Sequence, residues 1–345
     1  MSSPKHILVI RLSAMGDVAM TVPVLKVVVQ TYPKVKLTVV SRAFFKPIFD
    51  DIPNLNFLEA DVYGEHKGLG LLKLANQAKA LNIDAVADIH NVIRSKAITN
   101  YLRIKGVKTA TVNKGRAEKK SLTRAGGGTI HPLKTTHQRY ADVFSALGLP
   151  IQLTQYQAPK RKRLTPRLLS LIGRHTQKAI GIAPFAAFEG KTYPFELMKE
   201  VIAKLNNTGA YQIFLFGGGK AEINSLAKIE PLYPAVTNVA GNLTFEDELA
   251  LISNLDLMLS MDSGNGHLAA IFGIPVITLW GVTHPFAGFV PFGQPESNQI
   301  SVSREKYPLI PTSVYGNTYP EDYKNAMSTI SPEVVFNKIL KVLEN

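Results

Sequence analysis

The sequence predicts an α/β protein of two Rossmann-like, doubly wound domains facing each other. Three observations carry the α/β, two-domain part of this expectation. Short apolar runs alternate with helix-period segments from the first residues onward. The alternation lapses over a basic stretch at 159–178 and then restarts. Finally, 345 residues exceed what one hydrophobic core usually organises. Runs that are apolar throughout, rather than at alternate positions, fit parallel strands covered on both faces by helices.

Taken in order, residues 5–11 (KHILVIR) form the first strand, followed by a glycine-containing turn and a helix over 22–31. Strands are expected at 36–40, 56–59, 85–89 and 108–112, with helices over 71–81 and 93–104 between them. The stretch 159–178 carries seven basic residues and no acid, and marks the domain junction. Beyond it come strand 179–183, helix 195–205, strand 212–216, helix 220–229 and strand 236–239. Helix 245–253, strand 255–260, helix 266–272 and strand 275–279 complete the pattern. After Trp280 the chain is irregular until Ser331, long enough to be a functional loop. Ser331-Pro332-Glu333 then opens a last helix, with a capping serine and a proline in the first turn. The expected division is 1–165, 166–330, and a terminal helix at 331–345.

Composition bounds the function. With 46% hydrophobic and 19% charged residues the chain is globular. It has no cysteine, which excludes a disulfide scaffold, thiol catalysis and a cysteine-ligated metal. No secretory h-region and no apolar run near ~20 residues is visible, so a cytoplasmic protein is expected. Of the net charge of +13, residues 1–178 hold +19 and residues 179–345 hold −6. Between residues 89 and 140, 12 basic residues stand against the single acid Glu118. A basic first domain joined to a mildly acidic second one implies that the first meets an anion.

Ligands of open α/β sheets bind beyond the carboxyl ends of the strands. In the second domain three such turns stand out: 184–191 (PFAAFEGK), 217–222 (GGGKAE) and 262–267 (DSGNGH). Glycines admit a close backbone approach, a helix start favours phosphate, and Lys191 adds a positive charge. Each has a plainer reading. The glycines can be a tight turn, Asp262 or Ser263 a helix cap, His267 a packed histidine and Lys191 a solvated one. In the first domain, 11–17 (RLSAMGD) follows the first strand and is neither a dinucleotide fingerprint nor a P-loop. Asp17 is either a helix cap or a general base toward a hydroxyl.

These motifs resemble the heptosyltransferase family of lipopolysaccharide biosynthesis, glycosyltransferase family nine, over nearly the whole chain. The resemblance lies in ILVIRLSAMGDVAMTVPVL, DIHNVIRSKA at 88–97, HQRY at 137–140, GKTYP at 190–194, FGGGKAE at 216–222 and SMDSGNGHLAAIFGIPVITLWG at 260–281. It implies GT-B architecture, with the terminal helix returning to the first domain, and metal-independent, inverting sugar transfer without a cofactor. The donor would be an ADP-sugar, ADP-heptose above all, and the acceptor a lipid-linked anionic saccharide. The enzyme would work in the cytoplasm, peripherally at the inner-membrane surface. By position, Asp17 would be the base and Lys191 the cation at the leaving diphosphate. Gly217, Gly218, Glu222, Asp262, Ser263, Gly264 and His267 would hold the donor, with Glu222 at the ribose. Ser13, Gly16, Arg94 and Lys96 would face the acceptor. The chain departs from common family residues at Ala14, Met20, Tyr193 and Ser263, near the expected acceptor entrance and donor pocket.

Two rival readings remain open from sequence. A nucleotide-sugar epimerase on the same fold would need no acceptor. A non-catalytic binder of nucleic acid or anionic surfaces would explain the charge. Within 89–140, however, Tyr101 and Tyr140 are the only aromatics, too few for base stacking, so no nucleic-acid partner is expected.

Overall fold

The computed structural model describes residues 4–172 and 177–344. The chain divides into two compact units, Met1–Gly115 with Lys134–Gln157, and Arg116–Leu133 with Ala158–Asn345.

In the first unit, β1 (His6–Ile10), β2 (Lys36–Ser41), β3 (Leu55–Glu59), β4 (Ala85–Asp88) and β5 (Lys108–Thr111) make one parallel sheet. Its order is β3-β2-β1-β4-β5. Every residue of β1 and β4 is buried, the signature of strands covered on both faces. On one face Leu8, Ile10 and Val86 meet Leu74, Ala78, Ile98 and Leu102 from the helices Gly70–Ala80 and Ile93–Ile104. The chain steps outward from β1 to β3 and then crosses back to β4. The carboxyl ends of β1 and β4 therefore flank a topological switch point, where a crevice forms in such sheets.

The second unit repeats the plan. Here β6 (Lys178–Ala183), β7 (Tyr211–Leu215), β8 (Val236–Asn238), β9 (Leu257–Met261), β10 (Val276–Trp280) and β11 (Gln299–Ser301) form a parallel sheet. The order is β11-β10-β9-β6-β7-β8, which puts the switch point between β6 and β9.

Four expectations need correction. The edge strand β11 lies inside the stretch read as irregular; three residues are too few to show a period. The first junction between units falls at 115/116 and the last at 157/158, not at 165/166. The terminal helix Pro332–Glu344 packs on the second unit, not the first. Its Val335, Ile339 and Leu343 share one face and join the second core, and Lys204 reaches Glu333 at 2.6 Å. Lastly, the charge split along the chain is not a split between units. Basic segments 116–133 and 158–178 belong to the second unit, so the units carry +9 and +4.

Candidate functional site

In the first unit the two turns at the switch point are laced together by one arginine. Arg11 leaves β1 with its side chain only 7% exposed. Its Nη1 donates to the Ile89 carbonyl at 3.0 Å, beyond the end of β4. Its Nη2 meets Asp17 Oδ2 at 2.5 Å, and the guanidinium carbon sits 5.8 Å from the centre of the Tyr140 ring. Asp17 lies inside the short helix Met15–Ala19, whose N-cap is Ala14, with no side-chain cap bond. The capping alternative for Asp17 therefore fails: its carboxylate serves Arg11 and remains 32% exposed. Ser13 and Gly16 are half-buried in the same turn.

His90 stands beside this pair, buried, its Nδ1 facing the Leu12 N–H at 3.4 Å. Burial first, then the Arg11 charge, lower its pKa to about 3, so the ring is neutral at ordinary pH. Asp88 is fully buried and spent on architecture. It accepts from the backbone N–H groups of His90 and Asn91 at 3.0 and 2.8 Å and from the Ser95 hydroxyl at 3.1 Å. That arrangement shapes the turn that launches the helix Ile93–Ile104.

Arg94 and Lys96 are both exposed on this helix. Two residues apart, they project in different directions. Arg94 turns to the ring of Tyr63, 5.2 Å away, which also has Arg42 at 5.4 Å. Tyr63 is 65% exposed, so two guanidinium groups gather around one accessible ring at the ends of β2, β3 and β4. Lys96 has no part in this cluster.

In the second unit, Lys191 ends the turn after β6 and reaches the turn after β9. Its Nζ donates to the Asp262 carbonyl at 2.7 Å and lies 3.3 Å from Asp262 Oδ2. The two side chains are 13% and 10% exposed. Asp262 Oδ2 also accepts from the Thr283 hydroxyl at 3.1 Å. Neither plain reading survives: Lys191 is not a solvated lysine, and Asp262 does not cap. Ser263 holds the cap position of the helix Gly264–Ala270, yet its hydroxyl makes no cap bond. Gly266 fits there because a Cβ would come within 2.5 Å of Ser260 Oγ on β9. His267 is buried in the same helix.

After β7, Glu222 folds back so that the Gly218 N–H donates to its Oε2 at 2.8 Å. Gly217 packs against the Glu222 and Leu226 side chains, and Gly219 has φ +80°, a conformation that favours glycine. A carboxylate on this turn suits hydroxyl recognition and opposes phosphate. The structure thus brings Lys191 and Asp262 together, and leaves Glu222 on the separate turn beyond β7.

Two of the departures lie in the core. Tyr193 is completely buried, its hydroxyl donates to the Ile330 carbonyl at 2.6 Å, and burial pushes its pKa up to about 12. Met20 is also buried. Both are packing residues.

The family model for glycosyltransferase family 9 (heptosyltransferase) matches residues 71–321, well over half the chain. The chain belongs to this family. It is therefore a glycosyltransferase, as its motifs indicated. The lipopolysaccharide core heptosyltransferase OpsX of Haemophilus influenzae is 26% identical over 295 residues, covering 82% of this chain and 81% of that protein. A family 9 glycosyl transferase from Veillonella parvula superposes with a TM-score of 0.75 at 19% identity, covering 99% of this chain and 97% of that one. The E. coli heptosyltransferase WaaC, solved with ADP-2-deoxy-2-fluoro heptose, gives 0.65 at 18% identity over 97% and 99%. These likenesses establish the GT-B fold.

Sequence reasoning missed Arg11, Arg42 and Tyr63. Arg11 opens the quoted turn, but only the fold shows that it turns inward to Asp17. Arg42 and Tyr63 sit just past two strands, where their position was the available signal.

Proposed function

We propose that this heptosyltransferase moves a heptose from ADP-heptose to a hydroxyl of a lipid-linked, anionic saccharide in lipopolysaccharide core synthesis, with inversion. The observation that carries the reading is Asp17. It is a carboxylate at a sheet switch point, one oxygen held by a buried arginine and the group still a third exposed. Such a group can take a proton from an attacking hydroxyl. In this mechanism the acceptor oxygen loses its proton to Asp17 and bonds to the anomeric carbon as the bond to the diphosphate breaks. ADP leaves, and the Lys191 ammonium meets its growing charge. Asp262 keeps Lys191 extended toward that place and neutralises part of its charge until the donor arrives. Glu222 accepts from the ribose hydroxyls, and Ser263, Gly264 and His267 line the donor side with Gly217 and Gly218.

On the first unit, Ser13, Gly16, Arg94 and Lys96 face the acceptor, whose acidic groups complement the +9 charge. Among the described residues no helix is long and apolar enough to cross a membrane. The same basic face would hold the enzyme peripherally at the cytoplasmic surface of the inner membrane, where a lipid-linked acceptor is presented.

A thermal-shift panel tests the donor. ADP and ADP-heptose should each raise the melting temperature, since saturating ligand at about 100 Kd adds ~2.7 kcal/mol. Protection by a uridine nucleotide sugar alone would overturn the reading.

A further inference from the structure

We propose that Arg11 is a positioning residue for catalysis, fixing the Asp17 carboxylate so that Oδ1 faces the acceptor hydroxyl. The inference rests on Asp17 being the base. Arg11 is tied down through its backbone and both terminal nitrogens, while its buried Nε has no hydrogen-bond partner among the described residues. Its backbone N–H donates to the Val40 carbonyl at 3.1 Å, and its carbonyl accepts from the Ser41 hydroxyl at 2.6 Å, both on β2. Its guanidinium spans from Ile89 beyond β4 to Asp17 after β1, against the Tyr140 ring of the helix Thr136–Ala146. Those anchors fix where the guanidinium lies, and with it the partner against which Asp17 Oδ2 is held.

The arrangement is also one-sided. Asp17 Oδ2 is committed to Nη2, and among the described residues no hydrogen bond is made to Oδ1. The nearby imidazole of His90 is neutral, so it supplies no rival charge to Asp17. A planar guanidinium can hold Ile89 and Asp17 at once, through two nitrogens of one fork. An ammonium at the same place can serve one of them well. Reactions of this kind lose about 10²-fold for a misplacement near 1 Å. Arg11 therefore matters through the aim of Asp17 and makes no contact with the reacting atoms.

The test is a double-mutant cycle on rate, with melting temperature and donor KM measured alongside. Arg11→Gln is expected to lower kcat about 10²-fold while donor KM stays within about twofold. Arg11→Lys keeps the buried charge and the fold, and is expected to lose about tenfold. Arg11→Gln combined with Asp17→Asn should be as slow as Asp17→Asn alone, because there is no base left to aim. A purely structural Arg11 would instead lower the melting temperature with kcat intact, or multiply the loss in the double variant; either overturns the proposal. Arg11→Lys at the wild-type kcat overturns it as well, whether or not the Gln variant folds. Failure of the underlying reading shows separately, as a folded Asp17→Asn variant that is as fast as wild type.

Discussion

Replacing Lys191 separates the ion pair that the structure shows from the role at the leaving diphosphate that the proposed mechanism gives the same ammonium group. The Lys191 and Asp262 side chains are 13% and 10% exposed, and among the described residues the Asp262 carboxylate otherwise has only the Thr283 hydroxyl. Lys191→Met keeps most of the stem and removes the charge, leaving a nearly buried carboxylate without its counterion. Breaking a buried pair in this way costs about 3–5 kcal/mol. The residual exposure trims that to roughly 2–4 kcal/mol. At roughly 2–4 °C per kcal/mol for a unit of 150–250 residues, melting should fall by about 4–16 °C. Lys191→Met with Asp262→Asn removes both charges, and the amide can still accept from Thr283. The loss should then shrink to about 1 kcal/mol. Turnover behaves differently: both variants should be slower by about 10²–10³, since neither carries a cation for the leaving diphosphate. Calorimetry and ADP release, measured on the same preparations, read the two effects. A Lys191→Met variant that melts like wild type would refute the pairing argument. A double variant that regains its rate would show that Lys191 acts on Asp262 and not on phosphate.

Three further outcomes follow from the same geometry. His90 is held near pKa 3 against an ordinary 6.5, so between those values the unfolded chain binds a proton that the native one refuses. Its contribution is complete above pH 6.5 and falls as the pH drops, by up to about 1.4 kcal/mol per pH unit, and His90→Gln should flatten that slope; an unchanged slope in denaturant titrations contradicts the assignment. Replacing Arg94 and Lys96 together should raise acceptor KM and flatten its salt dependence while donor affinity holds, with Arg94, which shares Tyr63 with Arg42, giving the larger part. Collapse of donor affinity would reverse the assignment of the two units. Under the proposed mechanism, in which Lys191 meets the leaving-group charge, turnover should persist in excess chelator, and activity restored only by Mg²⁺ or Mn²⁺ would contradict this.

The strands and most helices were legible because buried parallel strands leave unbroken apolar runs, as in β1 and β9. The edge strand β11 was not, being short and half-buried. The terminal helix was legible as a helix, but its apolar face does not name the surface it covers. At the site, Asp17, Lys191 and Glu222 could be singled out from the turns that carry them. Their partners could not. Arg11 reads as one more basic residue in a basic half, and only the sheet order brings it to Ile89 and Asp17. Tyr193 shows the converse: a motif position two residues from Lys191 is core, its hydroxyl donating to the Ile330 carbonyl.

In the proposed mechanism Asp17 deprotonates the acceptor. Asp17→Asn keeps the shape but leaves the buried Arg11 charge without its partner, so about 1–3 kcal/mol of stability should be lost. The decisive measurement is single-turnover transfer from ADP-heptose to a heptose-deficient lipopolysaccharide acceptor, scaled to the fraction of enzyme that binds ADP. Wild type should release one ADP for each acceptor glycosylated. The Asn variant should bind donor equally well and transfer about 10²–10⁴-fold more slowly. An Asn variant that binds ADP and transfers at the wild-type rate would contradict the account.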